Sequence, residues 1–116
     1  MGANLRTSTT FDEFLKLPNP PAGHLELHHG EVILVPPRKY RRAKIQYALL
    51  KLLQPLLSRY GVIMSEFPFR VPGREAWQAD IGFVREDRDR EAEISDFMMG
   101  APDLVIEVLS PSMTSG

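Results

Sequence analysis

Two acidic residues lie inside stretches of sequence that otherwise predict buried β-strands. Asp80 lies in QADIGFV, and Glu107 lies in DLVIEVL with apolar residues on both sides. A carboxylate without a partner in such a strand costs several kcal/mol or stays protonated. Two acids that converge on a divalent cation avoid this cost, because hard cations such as Mg²⁺ prefer oxygen ligands. If neighbouring strands present both acids on one face, they form a candidate metal centre, where the ion activates water and neutralises charge on a phosphate.

A solvent-facing position on a half-exposed sheet is the alternative explanation for each acid. It suits Asp80 as well as a metal site does, but it suits Glu107 less well because apolar residues surround that position. Glu26 and Glu31, in the preceding hairpin, are weaker candidates as additional ligands, and Glu31 is most simply an exposed residue after a turn glycine. Asp103 is most simply a turn residue at the start of the last strand.

Three histidines, His24, His28 and His29, lie within six residues of one another. On a strand, His24 and His28 would share one face, and imidazole is a good ligand for zinc and other transition metals. Two of the three lie at a predicted turn, however, and no other segment offers an obvious partner ligand. Solvated turn residues are therefore the preferred interpretation.

Basic residues are concentrated in one part of the chain. Residues 38–60 carry seven lysines and arginines and no acid, whereas residues 86–96 are mainly acidic. Such segregation indicates a polyanionic partner, with a merely solvated basic helix as the alternative. Lys44 and Lys51 lie on one flank of a helix, about 20° apart at 100° per residue. The candidate nucleic-acid contacts are Lys44, Lys51, Arg41 and Arg42.

The apolar patterns predict an α+β or α/β domain with a mixed sheet. The expected order is a short helix, a hairpin in HLELHHGEVILVPP, a long helix over residues 38–60, and three further strands. Pro55 is expected to kink the long helix near residue 51. The predicted buried face of that helix consists of Ile45, Leu49, Leu52, Leu53 and Leu56.

Length and composition limit the class of protein. The 116 residues predict a single domain over residues 1–116, and the absence of cysteine excludes disulfides and thiolate metal sites. No apolar run is long enough for a membrane span, and the N-terminus lacks the apolar core of a signal peptide. A cytoplasmic protein without a membrane partner is expected. No glycine-rich phosphate loop or nucleophile elbow is present.

The segment APDLVIEVLSPS, together with three earlier stretches, resembles the Uma family of restriction endonucleases within the PD-(D/E)XK nuclease superfamily. The resemblance covers about residues 24–112. The most specific stretch is APDLVIEVLSPS, and the other matching stretches are HLELHHGEVILVPP, IQYALLKLLQPLLSRYG and WQADIGFV.

This resemblance implies a restriction-endonuclease-like fold, a mixed sheet flanked by helices with the acids on adjacent strands. It implies that Asp80 is similar to the metal-binding aspartate and Glu107 to the acid of the E-x-K half-motif. The main-chain carbonyl of Val108 would be a further ligand of Mg²⁺ or Mn²⁺. The implied activity is hydrolysis of DNA phosphodiester bonds.

The chain departs from the family pattern at three positions. Ala79 replaces the usual proline, Arg42 stands where a histidine is common, and Leu109 replaces the lysine of E-x-K. Family members continue with a further helix and strands. The resemblance therefore implies an N-terminal portion of the fold, with the C-terminal part missing and an incomplete active site.

Three functions are open on this evidence. The first is a metal-dependent DNA endonuclease, the second a non-catalytic DNA-binding or dimerisation module, and the third a structural domain with solvated acids. An exposed edge at the strand over residues 103–109 predicts a homodimer or higher oligomer.

Overall fold

The computed structural model describes residues 8–73 and 75–109, which form three helices and five strands. In chain order the elements are α1 (Phe11–Leu15), β1 (His24–His28), β2 (Glu31–Val35), α2 (Tyr40–Leu57), β3 (Gly61–Val71), β4 (Glu75–Arg85), α3 (Glu86–Ser95) and β5 (Leu104–Ile106). The α+β class is confirmed. None of the helices in these ranges has the length and apolar character needed to span a bilayer.

The sheet is built around β4, in the order β2-β1-β4-β3, with β5 also paired to β4. All pairings between these strands are antiparallel, and an isolated bridge between Arg70 and Met99 is parallel. β3 follows β4 along its whole length, whereas β1 pairs at Ala76 and β5 at residues 81–83 on the other side. The sheet therefore splits beside residues 77–80 of β4. Among the described residues, the pairing of β4 with β1 ends before this segment and its pairing with β5 begins after it.

The predicted hairpin is confirmed, and its connection is a two-residue turn. His28 pairs with Glu31, and the residues between them, His29 and Gly30, have φ angles of 54° and 82°. Two successive positive φ angles match the twist of antiparallel strands, and glycine adopts such an angle without steric cost. The turn thus sets the register of β1, and with it the face on which the histidines lie.

α2 is shorter than predicted, and its buried face shares only Leu49 and Leu53 with the predicted one. It begins at Tyr40, and it continues through Pro55 to Leu57. The prediction that Ile45, Leu52 and Leu56 are buried is wrong, because all three are exposed. Leucines occur on both sides of the helix, so periodicity alone did not determine which side faces the sheet. The residues that face the sheet are Gln46, Leu49, Leu50, Leu53 and Leu57.

The core consists of two apolar clusters, and β4 changes face between them. Ile81 packs with Ile63 and Phe83 against the leucines of α2, whereas Ala79 packs with Phe67 near α3. Residues two apart in a regular strand share a face, so the strand must twist sharply between positions 79 and 81. Asp80 lies at this point, beside the gap between β1 and β5.

Candidate active site

Asp80 is fully surrounded by hydrogen-bond donors. It is 1% exposed. Its Oδ1 accepts hydrogen bonds from Nε of Arg38, at 3.0 Å, and from Nη2 of the same guanidinium. Its Oδ2 accepts from Nη2 of Arg42 at 2.9 Å and from the N–H of Val108 at 2.7 Å. The burial of this acid is therefore compensated by two positive charges and one main-chain donor.

Glu107 lies next to Asp80, as expected for acids on adjacent strands. Oε2 of Glu107 accepts the main-chain N–H of Asp80 at 3.1 Å. That N–H lies where the sheet splits, and no neighbouring strand among the described residues pairs with Asp80. The carboxylate of Glu107 therefore accepts the hydrogen bond that a main-chain carbonyl of a paired strand would accept. Glu107 directly follows β5 and, unlike Asp80, is exposed. One acid is thus fixed in the interior and the other borders open space.

The two carboxyl groups have pKa values shifted in opposite directions. Burial alone would raise the pKa of Asp80, but hydrogen bonds from Val108, Arg38 and Arg42 together hold it below its usual value. Burial raises the pKa of Glu107, the hydrogen bond from Asp80 opposes that rise, and the negative charge of Asp80 adds to it. Pairs of acids pushed apart in this way are typical of sites where one group stays ionised and the other exchanges protons.

A third acid, Glu26, lines the same cleft of about 390 Å³ as Asp80 and Glu107. Glu26 is buried, and its two oxygens lie 2.8 Å from Nε2 of His24 and 2.8 Å from Nε2 of His28. Glu26 was predicted only as a weaker candidate ligand. The alternation His24, Glu26, His28 could have indicated its position in the site, because it places all three residues on one face of a strand.

The histidines differ from the preferred expectation of solvated turn residues. His24 and His28 lie in β1 and are partly buried against Glu26, and the ring of His28 stacks on Trp77 with centroids 4.0 Å apart. The side chain of His29 is 91% exposed and pairs with Glu75. Within residues 8–73 and 75–109, no three His, Asp or Glu side chains are grouped closely enough to hold a metal ion.

The donor types at Asp80 and Glu107 nevertheless suit Mg²⁺ or Mn²⁺. Mg²⁺ is commonly bound by one or two carboxylates, with waters and substrate phosphates completing its shell. Two adjacent carboxylates in an open cleft provide such a set. The oxygens of Asp80 are already bonded to Arg38 and Arg42, however, so a metal would have to replace at least one guanidinium there.

The remaining predicted nucleic-acid contacts lie on the exposed side of α2. Lys44 lies over the ring of Tyr40, 5.5 Å from its centroid, and Lys51 lies 5.3 Å from the ring centroid of Tyr47. The two pairs are seven residues apart, so they repeat along one side of the helix. Arg41 is also exposed. Arg42 lies apart from this surface because its guanidinium contacts Asp80.

The comparisons with known proteins decide the family. Residues 11–115 match the Uma2 family model, described as "Putative restriction endonuclease". The chain belongs to the Uma2 family. The resemblance found from sequence motifs is thereby confirmed. No curated protein matches the chain.

A solved structure is similar to the chain in fold and in sequence. It is described as a "putative nuclease belonging to DUF820 from Anabaena variabilis ATCC 29413". The similarity has a TM-score of 0.74 and 27% sequence identity, and it covers 91% of this chain. The chain spans 61% of the length of that structure. The printed descriptions of the Uma2 family and of this neighbour name an endonuclease and a nuclease, respectively.

Proposed function

We propose that the chain carries the catalytic carboxylates of a metal-dependent endonuclease that hydrolyses DNA phosphodiester bonds. The observation that supports this most is the direct contact between Asp80 and Glu107 in a cleft where the sheet splits. Asp80 and Glu107, with the main-chain carbonyl of Val108, would hold Mg²⁺ or Mn²⁺. When bound, such an ion activates water and neutralises the charge that develops on a phosphate.

The protein groups around this centre have separate roles in the proposal. Asp80 stays ionised because three neighbouring groups donate to it, and it anchors the centre in the interior. Glu107 faces the open side, and its pKa is raised by burial and by the negative charge of Asp80, so a cation close to it would favour its ionised form. Glu26, held by His24 and His28, adds a third carboxylate to the wall of the cleft.

DNA is the proposed substrate because the exposed side of α2 is basic and aromatic. Residues 38–60 include no acid, and Tyr40 and Tyr47, beside Lys44 and Lys51, are 78% and 62% exposed. Lysines bind backbone phosphates with a strong salt dependence, and tyrosine rings provide stacking surfaces for unpaired bases. Arg41, which is also exposed, adds a further positive charge in the first turn of α2.

Cleavage of a supercoiled plasmid in Mg²⁺ or Mn²⁺ tests this function, on the longest natural form of the chain. We expect Glu107→Gln to reduce the rate by at least about a hundredfold, a loss typical of a catalytic acid or base. Glu31→Gln, an exposed acid of β2, is the matched control and should cleave like the wild type. Equal rates for wild type and Glu107→Gln would contradict the assignment.

Two observations favour a second candidate, a DNA-binding module without catalysis. Arg38 and Arg42 already neutralise Asp80, and Leu109 replaces the lysine expected after Glu107. In that case the double variant Lys44→Glu/Lys51→Glu should lose DNA binding, whereas no metal ion should support cleavage. Metal-dependent cleavage that disappears in Glu107→Gln would exclude this candidate.

We also propose a homodimer or higher oligomer. Leu104 and Val105 of β5, and Leu109 beyond it, are exposed apolar side chains at the strand that borders the cleft. Exposed apolar residues grouped at a strand favour association with another surface. Sedimentation velocity should show a species heavier than 13.2 kDa. A single monomeric species at high concentration would contradict this proposal.

A further inference from the structure

Arg38 and Arg42 occupy the carboxylate that the proposed function assigns to a metal ion. Both oxygens of Asp80 accept hydrogen bonds from a guanidinium. We propose that these two arginines form a phosphate-binding pair. When a DNA phosphodiester binds them, their hydrogen bonds to Asp80 break, and the carboxylate of Asp80 becomes available to the metal ion. This inference rests on the proposed function, and it makes metal binding and phosphodiester binding cooperative.

Competition between the arginines and a divalent cation follows from their positions. A metal ion bound to Asp80 would lie within a few ångströms of two positive charges in a buried site, where such repulsion is poorly screened. The metal and the guanidiniums also need the same oxygen lone pairs. The free protein is therefore expected to bind Mg²⁺ or Mn²⁺ weakly, although its donor atoms are suitable.

The hydrogen bonds of Arg42 indicate that Asp80 is not its best partner. Arg42 donates to Asp80 through Nη2, while its buried Nε has no hydrogen-bond partner among the described residues. An unsatisfied buried N–H is costly, and guanidinium groups bind phosphate through two parallel donors. A phosphate oxygen pair would satisfy both nitrogens, which a single oxygen of Asp80 does not.

The surroundings of the two arginines favour an anion. Arg38 precedes α2 and Arg42 lies in its first turn, where the free amides carry partial positive charge. The N-cap residue Lys39 makes no side-chain capping hydrogen bond, and no acid lies in this first turn. Arg38 also lines a neighbouring cleft of about 480 Å³, so its guanidinium stands between two open spaces.

The replacement of the two arginines by a metal ion at Asp80, which we call the exchange, follows from the balance of charge. In the free protein, two arginines offset Asp80 and Glu107. When a phosphodiester binds the arginines, the two carboxylates lose their counter-charges, and a divalent cation becomes the favoured replacement. Linkage then requires that the phosphodiester raise metal affinity by the same factor as the metal raises phosphodiester affinity.

Calorimetric titration of Mn²⁺ into the protein without DNA tests the exchange. We expect Arg42→Ala to bind Mn²⁺ about tenfold more tightly than the wild type, because one competing cation is removed. Arg59→Ala, which removes an exposed arginine that follows α2, is the control and should match the wild type. Arg42→Gln keeps a hydrogen-bond donor near Asp80 without the charge, and it should also tighten binding if Arg42→Ala does not fold.

A second titration adds dimethyl phosphate, a minimal phosphodiester, at increasing concentrations. It should tighten Mn²⁺ binding by the wild type severalfold and have a smaller effect on Arg42→Ala. Equal or weaker Mn²⁺ binding by both Arg42 variants would overturn the exchange while leaving the metal centre intact. Absence of Mn²⁺ binding in the wild type and all variants, with or without dimethyl phosphate, would overturn both the exchange and the proposed function.

Discussion

The two ends of β5 are held by the same kind of contact but in different surroundings. Before the strand, Oδ2 of Asp103 accepts the N–H of Arg85 at 2.8 Å, and its Oδ1 pairs with Arg88 at 3.0 Å. After the strand, Asp80 of β4 accepts the N–H of Val108 at 2.7 Å. Each aspartate therefore ties β4 to the chain around β5, and each is paired with arginine.

The difference between these contacts separates a structural clamp from a candidate site. Asp103 is partly exposed and has one arginine partner, which is enough to secure a strand end. Asp80 is buried, has two arginine partners, and lies against a second carboxylate whose pKa is raised by burial and by the charge of Asp80. A neutral acceptor could make the contact in which Glu107 accepts the N–H of Asp80, so this contact alone does not require a second carboxylate. Its presence in the cleft is what points to chemistry.

The largest expected effect is on stability when Asp80 is removed. Asp80→Ala leaves two partly buried guanidiniums and the buried N–H of Val108 without their acceptor, so we expect a loss of roughly 3 kcal/mol in the free energy of unfolding. Asp103→Ala should cost only about 1 kcal/mol. Urea denaturation of both variants measures the difference. Similar losses would show that the two contacts are energetically equivalent.

A smaller effect concerns the acid dependence of stability at Asp103. The N–H of Arg85, followed by Arg88, holds the pKa of Asp103 below its ordinary value of 3.8. A carboxyl group with a lowered folded-state pKa stabilises the protein above the unfolded pKa, and this contribution is lost as the pH falls through the folded value. Asp103→Asn should therefore be less stable than the wild type by about 1 kcal/mol at pH 7.

As the pH falls from 3.8 through the lower folded-state pKa of Asp103, the difference between Asp103→Asn and the wild type should shrink, because the wild-type carboxyl becomes protonated over this range. Urea unfolding at a series of pH values measures this difference. If the difference stays constant down to the pH at which the protein unfolds in acid, the contribution of Asp103 to the free energy of unfolding does not depend on its charge.

The smallest expected effect distinguishes Arg88 from a neighbouring arginine. Arg88 contacts Asp103 and the main-chain oxygen of Met99, whereas Arg90 pairs with Glu86 on the exposed surface of α3. Arg88→Ala should lower the free energy of unfolding by roughly 0.5–1 kcal/mol, and Arg90→Ala by less than about 0.5 kcal/mol. Thermal unfolding of both variants provides the measurement. Equal values would remove the reason to call the Asp103 contact a clamp.

Local features of this fold could be predicted, because neighbouring residues determine them. Thr10 precedes α1 and forms a capping box with Glu13, three residues later in the sequence. The hairpin followed from alternating residues around a turn with Gly30. The placement of Glu107 next to Asp80 followed from two acids in apolar runs and from the family resemblance, although Glu107 directly follows β5 and does not lie in it.

Features that depend on distant parts of the chain could not be predicted. Arg38 and Arg42 lie about forty positions before Asp80, and no local pattern indicates that they pair with it. The buried face of α2 was predicted correctly only at Leu49 and Leu53, because the observed face includes Gln46, which is 5% exposed, while Leu52 and Leu56 face solvent. The change of face around Asp80 depends on the backbone of β4 and on Glu66 opposite, whose φ is 53°.

Binding of Mg²⁺ and Mn²⁺ to the purified protein tests the central claim most directly. Calorimetric titration should show one site in the wild type, tighter when dimethyl phosphate is present, and no site in Glu107→Ala. Glu31→Ala should bind like the wild type. Metal binding that survives in Glu107→Ala, or no binding by the wild type under either condition, would contradict a metal centre at Asp80 and Glu107.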